Sequence, residues 1–226
     1  MLKFSYHNSK IAELAKEQGL KKSEVVAFDL PAGYACPAAN LCKAYFNPLS
    51  RKVYDAKGSR FRCYAASVEA RFPNTSRMRW DNYNGLVGKN TQAMYKIILK
   101  SLPKNVKIVR VHSSGDFFNE SYFDAWCKVA LSRPDVIFFG YTKILPYIKK
   151  LQGMNLPNFR LVYSYGGKMD SMRISEPTVY VVEKTSQAKK LHVPVACINS
   201  PADDYAYIMK GESFALLIHG TQPRKK

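Results

Sequence analysis

Three cysteines, Cys36, Cys42 and Cys63, fall in one loop-rich stretch of the sequence. Five residues separate the first two, in CPAANLC, and twenty separate the second from the third. Structural zinc sites are usually built from tight CxxC pairs, which these spacings do not resemble. Iron-sulfur clusters are held by thiolates at more varied spacings. We therefore predict an iron-sulfur cluster on these cysteines, the alternative being three unligated thiols that pack as small hydrophobes.

Two further cysteines receive different predictions. Cys127 lies one turn after Phe123 in a predicted helix, a spacing that favours packing in the core. Cys197 lies at the end of a predicted strand, where it is a candidate for a fourth cluster ligand. An odd number of cysteines, five, also argues against a disulfide framework.

Basic and aromatic residues alternate after the second cysteine, and the whole chain carries a formal net charge of +18. Such a surplus indicates a polyanionic partner. Cations that neutralise phosphates, beside aromatic rings that stack on bases, are the components of a single-strand binding surface. The alternative is a generally basic, soluble surface. The residues predicted to contact DNA or RNA are Arg60, Arg62, Arg77, Arg79 and Trp80.

The elements that must position these residues follow an alternating pattern of strands and helices. Strands are predicted at 25–30, 107–112, 136–141, 160–165, 179–183, 195–199 and 214–219, and helices at 9–18, 64–71, 91–101, 120–132, 144–151, 184–191 and 204–210. This alternation predicts an α/β fold whose largely parallel sheet closes as a full or partial (βα) barrel. We expect one domain over 1–226, with a cysteine-bearing insertion at about 31–88.

Polar residues follow nearly every predicted strand, and the carboxyl edge of a parallel sheet is where functional groups collect. His112 and Asp116 follow the second strand, and Lys143 follows the third. We predict that His112 or Asp116 moves protons, with a carboxylate raising the pKa of the histidine, and that Lys143 steadies negative charge. The alternative is structural: His112 bonds a loop and Asp116 caps a helix.

The amino-terminal segment MLKFSYHNSK lacks the charged and apolar regions of a signal peptide. No stretch approaches the roughly 18 uninterrupted apolar residues of a membrane span. We therefore expect a cytoplasmic protein with no membrane partner.

Several motifs together resemble a known family. The segments FDLPAGYACPAANLCKAYF, FRCYAA, RVHSSGDFF, FFGYTK, LVYSYGG and IHG are similar to those of the phage-encoded gene product 88 family, over about 28–220. The resemblance implies a phage origin, with function in the host cytoplasm, and a distant likeness to radical S-adenosylmethionine enzymes. It would make Cys36, Cys42 and Cys63 the ligands of a [4Fe-4S] cluster. Ser114, Gly115 and Asp116 would correspond loosely to the segment that binds the cofactor S-adenosylmethionine.

Two departures from these patterns bear on the resemblance. Radical enzymes usually space their cysteines CxxxCxxC, and the wider spacing here weakens the case for S-adenosylmethionine. Family relatives often carry further cysteines between the region of Cys197 and the final His-Gly, whereas this chain has only Cys197 there.

Two functions of different classes are open at this point. In the first, the protein is a cluster-dependent enzyme acting on nucleic acid or a nucleotide. In the second, the cluster is a structural staple for a basic surface that binds host nucleic acid or a nucleic-acid enzyme. A nucleobase-exchanging barrel with Asp116 as nucleophile is a third possibility.

Overall fold

The structure, a computed structural model, describes residues 1–6 and 8–223. In chain order its strands are β1 Val25–Phe28, β2 Ala44–Asn47, β3 Lys52–Asp55, β4 Ile108–Val111, β5 Ile137–Thr142, β6 Phe159–Ser164, β7 Thr178–Val182, β8 Val195–Ala196 and β9 Phe214–Leu217. Its α-helices are α1 Ser9–Glu17, α2 Tyr64–Arg71, α3 Pro73–Leu86, α4 Thr91–Ser101, α5 Glu120–Ser132, α6 Leu145–Gly153, α7 Thr185–Lys190 and α8 Asp204–Lys210, with 3-10 turns at Lys22–Glu24 and Asp170–Met172. None of the helices in these described ranges is long and apolar enough to cross a membrane.

Seven of the strands form one sheet in the order β1-β4-β5-β6-β7-β9-β8. Every neighbouring pair in it is parallel. β1 and β8 are the two edges, so the sheet is an open half-barrel rather than a closed one. All seven predicted strands are present, which confirms the α/β architecture and the partial barrel. The last strand inserts between β7 and β8, an order that the linear pattern did not predict.

The two faces of the sheet carry different cores, because successive side chains of a strand point to opposite faces. Val26 and Phe28 of β1 belong to a cluster that also contains Trp126 of α5, together with buried residues of α4 and α6. Val25 and Ala27 belong to the other cluster, with buried residues of α1 and α8. Helices thus cover both faces, and Arg110 of β4 lies on the face that bears α8, where it contacts Asp204.

The segment 31–88 is more regular than its sequence predicts. It contains an antiparallel hairpin, β2 with β3, followed by the two helices α2 and α3. The 14-residue helix α3 was not predicted, because its sequence is polar and begins with Pro73, although proline at the first helical position is compatible with a helix. Cys63 packs in a small cluster with Ala44 of β2 and with Ala65 and Ala66 of α2.

Candidate functional site

The three clustered cysteines line one cavity at the carboxyl edge of the sheet. Cys36 follows β1, Cys63 immediately precedes α2, and Cys42 lies between them; all three contribute to the wall of a cavity of about 180 Å³. The same cavity is lined by residues that end β4, β5 and β6. The three cysteines and the strand ends therefore share one cavity.

The loop that carries Cys36 is a succession of tight turns. Ala35 N–H donates to Pro31 C=O at 3.1 Å, and Cys36 N–H donates to Gly33 C=O at 3.3 Å. Gly33 has φ +76, and a Cβ there would lie 2.5 Å from Ala44 O. Only glycine fits that close approach of the loop to the β2–β3 hairpin. The path of the chain into the first cysteine is thus set by backbone contacts.

Burial and neighbouring charges raise the pKa of two of the three thiols, Cys36 and Cys63. Burial raises the pKa of the Cys36 thiol well above its usual value, and Asp116, Cys63 and Cys42 raise it further. Burial, followed by Cys42, raises the pKa of Cys63 to about 11, although the amides of Ala65 and Ala66 oppose this. Three thiolates gathered in this cavity would be unfavourable without a cation, so metal binding there would release protons.

A single metal ion is not what the geometry favours. Within 1–6 and 8–223, no three His, Cys, Asp or Glu side chains are grouped tightly enough to hold one ion. Thiolates bound to one zinc at about 2.3 Å are necessarily close neighbours of each other. A polynuclear cluster places its cysteine ligands around a larger body. The described residues thus hold no preformed site for one zinc ion, and the iron-sulfur cluster stays a prediction.

The loop after β4 anchors the loop after β1. The carboxylate of Asp29 accepts from the N–H groups of Ser113 at 2.7 Å and Ser114 at 3.1 Å, and Ser114 Oγ donates to Leu30 C=O at 2.8 Å. Gly115 has φ +89, and a Cβ there would lie 2.7 Å from Leu30 Cβ. Ser114 and Gly115, which were predicted to bind a cofactor, both line the cavity. Ser114 hydrogen-bonds to Leu30 and Gly115 packs closely against it, so both residues support the loop that carries Cys36.

Asp116 connects the loop after β4 to the end of β5. Its carboxylate accepts from Thr142 Oγ1 at 2.8 Å and from the N–H groups of Phe117 at 2.7 Å and Lys143 at 2.9 Å. Its own N–H donates to Ala35 C=O at 3.0 Å, next to the first cysteine. Burial nevertheless raises its pKa to about 6. Asp116 does not cap α5, whose N-cap is Asn119, and a carboxyl with this pKa can exchange a proton near neutral pH.

Lys143 continues the chain of contacts to β6. Its ammonium donates to Ser164 C=O at 3.0 Å, to Ser164 Oγ at 2.9 Å and to Tyr165 C=O at 2.9 Å. All three of its protons therefore have partners in the protein. Beyond β6, Gly166 C=O accepts from Leu41 N–H at 2.9 Å, which fixes the residue before Cys42. The cysteine loop is held at both ends by successive strand ends.

His112 behaves differently from the sequence prediction. It lies directly after β4 in a left-handed conformation, φ 74, and its Nε2 lies 2.9 Å from the hydroxyl of Tyr122. Burial lowers its pKa to about 3, and no carboxylate among the described residues counteracts this. The expectation that a neighbouring carboxylate raises this pKa is therefore wrong, and the ring is neutral at pH 7. Its Nδ1 is buried without a partner among the described residues.

This burial predicts the pH dependence of stability. The unfolded chain protonates His112 below about pH 6.5, whereas the folded protein does not until about pH 3, so stability is lost as the pH falls between these values. We expect His112→Gln, which can keep a hydrogen bond to Tyr122, to remove a slope of about 1.4 kcal/mol per pH unit from the unfolding free energy in that window. Urea denaturation at several pH values measures it. An unchanged slope would contradict the buried neutral ring.

Cys197 does not join the other cysteines. It follows β8, at the edge of the sheet opposite to β1, and it lines a separate cleft of about 770 Å³ rather than the cysteine cavity. There Lys10 Nζ lies 2.9 Å from its sulfur. The prediction of Cys197 as a fourth ligand is thus corrected by the sheet order. Cys127 is fully buried in the core, as its helical spacing predicted.

A buried charged cluster on the face of the sheet that bears α1 and α8 was not predicted from the sequence. Asp204 of α8 lies 3.0 Å from Lys10 Nζ and 3.5 Å from Arg110 Nη1, and it accepts a hydrogen bond from the hydroxyl of Tyr141. Lys10, Arg110 and Tyr141 all line the cysteine cavity. The available signal was Arg110 itself, a cation in the middle of the otherwise apolar strand IVRV.

The residues predicted to bind nucleic acid divide into four groups. Arg60 and Arg77 are exposed. Arg62 is bound to Asp55, with Nε at 2.9 Å from Oδ1. Arg79 is buried between two carboxylates, Glu69 at 3.1 Å and Asp29 at 3.6 Å, which already balance its charge, so its prediction as a phosphate contact is wrong. Trp80 is half-buried in a groove of about 620 Å³ beside Arg77.

Comparison with known proteins gives one family and two short matches. A family model described as "Gene product 88" matches residues 2–225. The "Gene 88 protein" of Mycobacterium phage L5 is 38% identical over 61 residues, 27% of this chain and 26% of that protein. The protein of the same description from Mycobacterium phage D29 is 36% identical over 61 residues, 27% of this chain and 25% of that protein. The match thus spans about a quarter of the length of these relatives. No solved structure matches the chain.

Proposed function

The chain belongs to the gene product 88 family, and from this premise we propose that it is a phage iron-sulfur protein acting as a cluster-dependent enzyme on nucleic acid or a nucleotide. One observation carries the proposal: three half-buried cysteines and the polar ends of three strands line the same cavity. A catalyst needs its reactive groups and a binding space together, and parallel α/β folds provide both at this edge.

Cys36, Cys42 and Cys63 would hold the cluster. Three protein ligands on a four-iron cluster leave one iron open, and such a cluster supplies an electron and a coordination position to a bound molecule. The strand-end contacts keep Cys36 and Cys42 in place, because Asp116 N–H holds Ala35 and Gly166 C=O holds Leu41. A site fixed in this way needs little rearrangement when a ligand binds.

The other cavity residues would serve binding and proton transfer. Asp116, with its pKa of about 6, is the candidate for moving a proton. Lys143 contributes its positive charge, although its three protons are engaged, and neutral His112 offers its unpartnered Nδ1. The ring of Tyr64 covers one side, with its hydroxyl donating to Ser113 C=O at 2.5 Å.

The test of the enzyme proposal is whether the cluster has an open iron. Anaerobically purified and reduced protein should give an electron paramagnetic resonance spectrum that changes when S-adenosylmethionine is added. The change should persist in Cys127→Ala, which alters a thiol in the core of α5. A cluster spectrum that no added S-adenosylmethionine perturbs would instead support a cluster with a structural role.

The second candidate function is non-catalytic binding of single-stranded nucleic acid, and the groove beside α3 favours it. Trp80 lies there with Arg51 and Arg77, both exposed, and neighbouring Tyr34 packs edge-on to Trp80 with ring centroids 4.8 Å apart. The indole Nε1 of Trp80 and Oε2 of Glu69 are buried without partners among the described residues. A base bound here would find an aromatic wall, a donor and an acceptor, and cations for its phosphate.

This candidate predicts a measurable loss in one variant. We expect Trp80→Ala to weaken binding of a single-stranded oligonucleotide by about 1 to 3 kcal/mol, because a stacking surface is removed. Binding should also weaken steeply as salt rises, with a log-log slope set by the number of phosphates neutralised. Fluorescence anisotropy measures both. Tyr95→Phe, on α4 away from the groove, is the control; equal losses in the two variants, or binding that is insensitive to salt, would refute this surface.

A further inference from the structure

Arg110 is a buried cation whose hydrogen-bonding groups are not all used. It is 4% exposed, its Nη1 lies 3.5 Å from Asp204, and its guanidinium carbon lies 5.2 Å from the ring centroid of Tyr141. Its Nε–H is buried without a partner in the part of the chain that the structure describes. Buried donors are nearly always paired, so an unpaired one on a cavity wall indicates a ligand that supplies the acceptor.

The charges around Arg110 do not balance locally. Lys10 and Arg110 share a single carboxylate, that of Asp204. Both cations, together with the hydroxyl of Tyr141, outweigh burial and lower the pKa of Asp204, so it remains one full negative charge. Burial raises the pKa of Cys197, the other neighbour of Lys10, which keeps that sulfur a neutral thiol at pH 7. Asp29, which also acts on Arg110, is itself held by Arg79 at 3.6 Å.

We infer that Arg110 and Lys10 form a subsite for an oxyanion, a phosphate or carboxylate group of the ligand that enters the cysteine cavity. The planar guanidinium presents donors in the geometry that such groups accept, and the buried position strengthens the attraction. This inference rests on the proposed function, which identifies the cysteine cavity as the ligand site. It narrows the ligand to a small anionic molecule or to one terminal group of a larger molecule.

The size of the cavity supports this ligand class. About 180 Å³ admits a phosphate or carboxylate with a small substituent, not a duplex. The larger cleft of about 770 Å³ shares Lys10, Tyr64, Ser113 and His219 with it, so the two spaces adjoin. The remainder of a nucleotide-sized ligand would therefore extend through the gap between the two edges of the half-barrel.

The first test uses the unaltered full chain with sodium phosphate and with sodium acetate as probes, each at constant ionic strength against sodium chloride. A saturable rise in melting temperature is expected with at least one probe, because a ligand that binds only the folded state stabilises it. A response to phosphate alone assigns the subsite to a phosphate group, and a response to acetate alone to a carboxylate. The absence of any response beyond that to chloride overturns the inference.

Variants then locate the subsite. Arg110→Gln should weaken probe binding at least about tenfold, which is about 1.4 kcal/mol. Asp204→Asn should instead strengthen it, because the competing carboxylate is removed. Arg133→Gln is the matched control, since Arg133 pairs with Asp135 outside the cavity. Unchanged binding in both Arg110→Gln and Asp204→Asn overturns the inference, and if Arg110→Gln does not fold, the sign of the Asp204→Asn effect decides.

Iron content measured on the same samples separates this inference from the proposed function. Saturable probe binding in protein that never contains iron would refute the cluster and leave the oxyanion subsite standing. Iron-containing protein that binds neither probe would refute the subsite alone.

Discussion

We expect Cys36→Ala, Cys42→Ala and Cys63→Ala each to purify anaerobically without iron. The three sulfurs line one cavity, and Cys42 and Cys63 both raise the pKa of Cys36, so the three cysteines are expected to act as one unit. A cluster that has three protein ligands cannot be retained by two, and the loss should be nearly complete, from about four irons per chain to about none. Iron and acid-labile sulfide analysis, with visible absorption, measures it.

Two controls make this result specific. Cys127→Ala alters a thiol that is fully buried in α5, and Cys197→Ala alters one that lies beside Lys10 in the neighbouring cleft. Both variants should retain the iron of the unaltered protein. If Cys197→Ala lost its iron while one of the three cavity variants kept it, the placement of the ligands would be wrong.

The second large effect is on stability. Arg79 donates to Ala65 C=O at 3.0 Å and to Glu69 at 3.1 Å, and it lies 3.6 Å from Asp29. Removing Arg79 leaves the buried carboxylates of Glu69 and Asp29 without their cation. Breaking a buried ion pair in this way costs about 3 to 5 kcal/mol of unfolding free energy. We expect Arg79→Ala to lose that much unfolding free energy in urea denaturation.

Arg77→Ala is the matched control for that variant, because Arg77 lies two residues earlier on the same helix and is exposed. Its unfolding free energy should change by no more than about 0.5 kcal/mol, as surface substitutions usually do. Its affinity for single strands should fall if the groove binds them. Equal stability in the two variants would show that Arg79 is not the buried structural residue described above.

Much of the architecture follows from local patterns in the sequence. Apolar runs such as 136–141 alternate along the chain with helical segments. This order predicted the parallel sheet, because strand and helix periodicities are local properties. The cysteine spacing and the polar strand ends likewise predicted one site. The helix α3 was missed because its polar, proline-led sequence has no apolar stripe.

The parts that the sequence did not predict depend on contacts between distant residues. Lys10 and Asp204 are 194 positions apart, and Arg110 and Asp204 are 94 apart, yet these contacts create the charged end of the cavity. Burial decides the pKa of His112 and the role of Arg79, and it depends on what packs around them. Side-chain type alone suggested a proton carrier in one case and a phosphate contact in the other.

Metal analysis of the unaltered full chain is the most direct measurement of the central claim. Protein purified without oxygen should be brown and contain about four irons and four acid-labile sulfides per chain, as a [4Fe-4S] cluster requires. Protein that contains zinc in place of iron, or neither metal, after anaerobic purification and reconstitution with iron and sulfide would contradict it.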